Sequence, residues 1–269
     1  MSALPRSLRA GAALPPAAHA PRPPITVGLG LAAPLLGRAA PLLGCAAPLL
    51  GCAALSGCAL GKEVTEFPPG LEPLEANTAE WPDATDGARY PEAQNLNTGD
   101  AEDEELGVEY SWSHGRGYVQ MPINKVYQAL IVPRVNADRR EIDSYEVTWD
   151  VEPDYPHSYM LSNVVNDVLT VEFDVTWRHG ATAGSEDEPE QIGTRWQKTE
   201  GSTVIEILRG SVRTFPVTDD VTAVEMVLHQ RSLQRGFDAE RTRAYLQDFY
   251  VAILAEAHGE PLPEYESGL

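Results

Sequence analysis

The chain has 269 residues, with 40 acidic against 20 basic side chains and a formal net charge of -20. A surface this acidic repels nucleic-acid phosphates and anionic headgroups, which argues against binding to either through a basic patch. All three cysteines, Cys45, Cys52 and Cys58, lie near the N-terminus, so the rest of the chain has neither a disulfide nor a thiolate metal site.

Residues 1–38 carry Arg6, Arg9, Arg22 and Arg38 without an acidic side chain, and residues 39–57 (AAPLLGCAAPLLGCAALSG) carry no charge. That basic-then-apolar order belongs to a signal peptide. Pro41 and Pro48 break helical hydrogen bonding, and the stretch is near the lower limit for crossing a bilayer, which argues against a retained membrane helix. Leu55-Ser56-Gly57-Cys58 resembles the lipobox of bacterial lipoproteins, in which an aliphatic residue and two small ones precede a lipidated cysteine. Cys45 and Cys52 also follow Leu-Leu-Gly, but polar sequence begins directly after Cys58. The resemblance implies cleavage before Cys58, a signal peptide over residues 1–57, and a membrane partner reached through lipid on Cys58. Ala59, where an aspartate favours inner-membrane retention, implies a place in the cell envelope on the outer membrane, facing the periplasm.

Residues 58–106 are rich in Pro, Glu, Asp, Asn and Gly, and few apolar residues recur at any period. With little to bury, this segment is expected to be a disordered acidic tether. The folded domain is expected over 107–269. It opens with a strand at 116–121 that stops at Pro122, followed by Ile123, Val126, Tyr127 and Leu130 at helical spacing. A second helical turn is expected at 138–142.

Strand periodicity follows. Tyr145, Val147, Trp149 and Val151 alternate with polar residues, and strands are expected at 158–165 and 168–178 around an Asn166-Asp167 turn. Val171, Phe173, Val175 and Trp177 share one face, opposite Glu172, Asp174 and Thr176, as in a half-wet antiparallel sheet. An acidic loop at 179–193 leads to a strand at 194–199, a turn at Glu200-Gly201 and a strand at 203–213. After the Asp219-Asp220 turn comes the last strand, 221–231. A helix runs from Asp238, a credible N-cap, to Ala257, with Gly259 as its stop. Its stripe of Tyr245, Phe249, Ala252 and Ile253 must lie across a sheet.

This order, carried by the strand-Pro-helix opening at 117–130 and the closing helix, resembles the helix-grip fold of the START and Bet v 1-like (SRPBCC) superfamily. The resemblance implies an α+β domain: a curved antiparallel sheet of about seven strands wrapped on a long C-terminal helix. It also implies an elongated apolar cavity between the two that takes a hydrophobic small molecule such as a lipid or quinone. Trp149, Phe173, Trp177, Tyr245 and Phe249 are the candidate lining, although each could equally be core. Arg209 is the candidate for a ligand carboxylate or phosphate, against a solvent-facing or ion-paired role.

His114, His157, His179, His229 and His258 lack the spacing of a zinc site, so no metal is expected. There is no Walker loop, dinucleotide fingerprint or Gly-x-Ser-x-Gly elbow, so no cofactor and no catalytic set is assigned. Two alternatives to ligand carriage stay open: a cyclase or aromatase-type enzyme using the same pocket, and a structural or assembly lipoprotein binding another envelope protein.

Overall fold

The computed structural model describes residues 61–265 apart from 86, 167–168 and 234–238. The leader, Cys45, Cys52, Cys58, Asp167 of the expected turn and the expected N-cap Asp238 lie outside the described residues. Among the described residues nine strands make one antiparallel sheet: β1 (Lys62–Val64), β2 (Gln94–Asp103), β3 (Val108–Val119), β4 (Ser144–Trp149), β5 (His157–Asn166), β6 (Thr170–Gly184), β7 (Pro189–Ser202), β8 (Ile205–Thr218) and β9 (Val221–Ser232). Their spatial order is β2-β3-β9-β8-β7-β6-β5-β4, with β1 added to β7. The helices are α1 (Ile123–Leu130), α2 (Pro133–Asn136) and α3 (Ala239–His258).

The inner face of the sheet is written in the strand alternation. Phe173, Val175 and Trp177 on β6 and Val224, Met226 and Leu228 on β9 are buried together with Leu246, Phe249 and Ile253 of α3. Burying such side chains contributes roughly 1.5–3 kcal/mol each, so the stripe on α3 holds the helix to the sheet. The hydroxyl of Tyr250 pins the helix further by donating to the Tyr118 carbonyl at 2.6 Å. Pro122 stands at the N-cap of α1, where a missing N–H is harmless. Gly259, at φ 72°, follows the end of α3.

The outer face departs from the half-wet expectation. β9 is buried on both sides along nearly its whole length. Its cover is the segment expected to be a disordered tether. Residues 61–106 are not a stalk: β1 pairs with β7, β2 pairs with β3 over ten residue pairs, and residues 65–81 cross the outer face as a strap. The strap has few apolar residues of its own, and it binds by hydrogen bonding to strands far along the chain. Arg178 on β6 donates to the carbonyls of Phe67 (3.0 Å) and Pro68 (2.5 Å), packs on the Phe67 ring and pairs with Glu152. Arg195 donates to the Glu72 carbonyl at 2.8 Å, and Leu71 lies on Gly193, where a Cβ would come within 2.6 Å of its carbonyl oxygen. Asn77 donates to the carbonyls of Gly115 (3.0 Å) and Met226 (2.8 Å), and Arg116 donates to that of Ala79 (2.9 Å). Trp81 then stacks on Tyr118 at 5.0 Å.

Other differences share one cause: pairing outruns what local pattern shows. The acidic loop expected at 179–193 is instead the far end of the β6–β7 hairpin, and Tyr127 of α1 donates to Glu186 beside its turn at 2.6 Å. The Glu200-Gly201 turn is instead the end of β7, with Gly201 at φ 119° where β1 joins. The second helix lies at 133–136, and residues 138–142 close a single turn.

Glu75 is the centre of the strap's polar contacts. Its Oε1 accepts from His114 Nε2 at 2.6 Å and from His229 Nε2 at 3.1 Å. Burial raises its carboxyl, but the charges and hydrogen bonds of His229 and His114 outweigh that and hold it below its ordinary 4.5. Removing the carboxylate leaves two buried imidazole donors unmet, so Glu75→Ala is expected to lower the unfolding free energy by about 1–3 kcal/mol in urea titrations at pH 7. A depressed folded pKa stabilises above the unfolded value and is lost on acidification. The difference between wild type and variant should therefore shrink as pH falls below 4.5.

Candidate functional site

Between the inner face of the sheet and α3 lies a cavity with about 80 Å3 of space for the centres of water molecules. One water needs about 10–15 Å3 by this measure, so there is room for several waters or one compact ligand. A wider hollow of about 710 Å3 between β2 and α3 is an open groove with many polar side chains, such as Gln94, Asn97, Arg243 and Gln247. It lacks the enclosed apolar wall that a binding cavity for a hydrophobic molecule requires.

The buried end of the cavity is aromatic. Trp177 and Trp196 pair across β6 and β7 with their rings stacked at 4.6 Å and 13°. Phe249 of α3 meets both edge-on, at 6.0 and 5.6 Å. Trp196 reaches this position because its partner on β8 is Gly210, where a Cβ would sit 1.9 Å from Trp196 Cζ2. Leu161, Val171, Phe173 and Val175 carry the apolar wall outward, and the half-buried rim includes Asp138, Glu141, Ile142 and Arg241.

Of the residues singled out in the sequence, Phe173, Trp177 and Tyr245 line this cavity, and Phe249 stands behind the two tryptophans. Trp149 does not. It is 55% exposed at the end of β4, the edge strand, with its ring edge-on to Tyr159, while Val147 on the same face of the strand packs against the core. Arg209 also lies elsewhere. It points to the outer face, where it donates to Asp103 at 2.9 Å and to His229 Nδ1 at 3.3 Å. One residue of register decides this, because neighbouring positions on a strand face opposite ways. Trp196, Asn136, Asn163 and Gln230 were not anticipated; Asn163 and Gln230 gave no signal because polar residues in strands usually face water, and Asn136 is on α2, a turn expected later, at 138–142.

The polar lining is uneven. Asn163 donates to the carbonyl of Leu161 at 3.0 Å, and Asn136 to that of Leu130 at 2.7 Å and to Tyr159. At the rim, burial pushes the Asp138 carboxyl up to about 6, even though it accepts the Arg140 N–H at 3.0 Å. His179, stacked on Trp177 and Tyr159, is pushed down to about 3 by burial, which favours the neutral imidazole.

On the outer face the fold unites histidines that seemed scattered. Glu75, His114 and His229 bring their ligand-type atoms within 4.8 Å of one another. Histidine ligands to a metal normally donate their other ring N–H to an acceptor. Here the other nitrogens meet donors: the Thr78 N–H at 3.0 Å from His114 Nδ1 and Arg209 at His229. Those donors place the protons on both Nε2 atoms, facing Glu75, and the group fits a hydrogen-bonded clasp better than a cation site.

The nine-stranded sheet closed by α3 makes this an α+β helix-grip domain. Similar arrangements are found in a START superfamily protein from Mycobacterium smegmatis, at 12% identity over 55% of this chain and 97% of that one with a TM-score of 0.39. They also occur in human StAR-related lipid transfer protein 5, at 11% over 64% and 83% with a TM-score of 0.41. The Zhui aromatase/cyclase of a Streptomyces species matches at 12% over 61% and 92%, with a TM-score of 0.35. No family model and no curated protein matches the sequence.

Asp138 gives this site a pH signature. Its folded pKa of about 6 lies above the ordinary 3.8, so the stability it confers is present below 3.8 and is lost as pH rises through 6. Asp138→Asn, which keeps the acceptor for Arg140, should abolish that fall in melting temperature between acidic and neutral pH.

Proposed function

We propose that this is a lipid-anchored envelope protein whose helix-grip domain binds or carries a hydrophobic small molecule in the cavity under α3. The observation that carries the binding half is the apolar wall of Phe173, Val175, Trp177 and Trp196 beneath α3, which α3 does not fill. The anchoring half rests on the basic-then-apolar leader and on Leu55-Ser56-Gly57-Cys58. Only three residues separate Cys58 from Lys62, where β1 begins. At roughly 3.6 Å per residue, the domain of an anchored chain would stand close to the membrane rather than on a long stalk.

A second reading, an enzyme of the cyclase type, is favoured by one observation: a carboxyl at the cavity rim, Asp138, whose pKa of about 6 suits proton transfer near neutral pH. If turnover depends on it, Asp138→Asn removes product formation while leaving ligand affinity in place.

Two measurements test the main reading. Cys58→Ala is expected to move the protein from the membrane to the soluble fraction; retention in the membrane would sink the anchor. Organic extraction of purified full-length protein is expected to release a small apolar molecule in near-stoichiometric amount, and Leu161→Trp, which fills the cavity, should release about tenfold less or none. Equal recovery from both proteins would place the ligand elsewhere.

A further inference from the structure

The apolar side chains that the fold leaves in water are not spread evenly over the domain. Among the described residues six large ones are exposed: Val64, Leu106, Tyr145, Trp149, Leu169 and Leu233. The sheet register puts five of them at one end. Tyr145, Asn163, Phe173 and Gly201 are successive partners in a row across β4, β5, β6 and β7. Leu169 lies beyond that row, just before Thr170, which pairs with Asn166, and Val64 pairs with Glu200. Leu233 follows β9 and donates its N–H to the Val204 carbonyl at 2.9 Å. Leu106 tips the turn between β2 and β3, next to the same end of β9. Trp149, at the far end of β4, is the exception. Single apolar residues are ordinary on a surface, whereas a group gathered at one place marks a contact.

The cavity opens at this same end. Trp177 and Trp196 close it deep in the domain, while Val165, Val171, Val204, Ile205 and Ser232 line it toward the apolar tips. Ile142, Val165, Ile205 and Arg241 keep partial exposure there, which makes this the mouth. Leu169 and Leu233 flank it from β6 and β9, three strand spacings of roughly 4.8 Å apart. The chain also leaves for Cys58 from here. Lys62 pairs with Ser202, and four steps of roughly 3.6 Å limit its distance from Cys58 to about 14 Å. β8 alone runs 14 residues, about 45 Å at roughly 3.3 Å each, so the β6–β7 and β8–β9 turns at its other end stand well beyond that reach.

We infer that this end of the domain is seated on a zwitterionic bilayer, with Leu106, Leu169 and Leu233 dipping among the headgroups and the cavity mouth opening onto the lipid. This rests on the anchored, ligand-binding reading above and adds the route: a hydrophobic molecule passes between bilayer and cavity without crossing water. Charge selects the bilayer. The exposed carboxylates of Glu104, Glu105, Asp143 and Glu172 stand among the apolar tips. An anionic surface would repel them, whereas choline headgroups give them a positive neighbour.

The full-length protein reconstituted in phosphatidylcholine vesicles tests the seating. A chain cut before Cys58 and lipidated there has no free thiol. Leu169→Cys, Leu233→Cys and, as a control in the opposite β8–β9 turn, Asp219→Cys therefore each add one site for an environment-sensitive fluorophore. Quenching by phosphatidylcholine brominated on its acyl chains is expected to be about threefold or more stronger at the Leu169 and Leu233 sites than at Asp219. Adding phosphatidylglycerol should weaken it at both. Leu169→Glu should lower quenching at the Leu233 site to about half or less, because one charged tip lifts the mouth away from the acyl chains. Circular dichroism confirms folding of each variant, and these side chains are more than half exposed, so the core is untouched. Quenching at the two tips no stronger than at Asp219, or strengthened by phosphatidylglycerol, would overturn this inference and leave the anchor standing. Fluorophore taken up by the protein without an added cysteine would instead show a free native thiol and overturn the anchored reading.

Discussion

The domain depends on one constraint: its central strands are buried on both faces, so the sheet needs two covers of different chemistry. On the inner face α3 supplies apolar surface. On the outer face β6, β7, β3 and β9 present Arg178, Arg195, His114, Arg116 and His229; Glu152 and Glu225 pair with Arg178 and Arg116, and the remaining donors need partners that an apolar cover would not supply. The strap solves this with carbonyl oxygens, those of Phe67, Pro68, Glu72 and Ala79, and with the carboxylate of Glu75. Burial of a guanidinium is tolerable only when its donors are matched, and a non-regular backbone segment has unspent carbonyls to offer.

That arrangement bears on the inner face as well. The strap bonds to β3, β6, β7, β8 and β9 on the outer face, and the cavity beneath α3 lies on the opposite face of that same part of the sheet. Gly210 shapes that cavity. Its lack of a side chain allows Trp196 to lie flat across β8, which puts two indoles at one end of the cavity instead of one. The strap also changes how an anchored chain would be presented. β1 starts at Lys62, so the polar segment 62–106 is part of the folded body and not a spacer.

Much of the sheet was legible in the sequence because its signals are local. The alternation at 171–177, the Asp219-Asp220 turn, the stop at Pro122 and the stripe of α3 each depend on residues within one or two turns of chain. The strap was illegible because its partners are not local: Asn77 bonds the Met226 carbonyl 149 residues away, and the pairing uses backbone groups that leave no mark on composition. Trp149 and Arg209 show a second limit. Alternation tells which residues share a face, and it does not tell whether a strand is at the edge or which face looks inward. The pairing of His114 with His229 through Glu75 needed β3 and β9 to be neighbours and the strap to lie across them.

By itself, then, the sequence determined the order of strands and helices from β3 onward, the closing helix and the candidate anchor, because periodicity, turn residues and a short linear motif are properties of neighbouring positions. Only the tertiary structure decided that residues 61–106 fold, that Trp196, Asn163 and Gln230 join Phe173 and Trp177 around one cavity, and that Arg209 turns away from it. Those outcomes depend on which distant strands pair and on one-residue register, and a two-residue period carries no information about either.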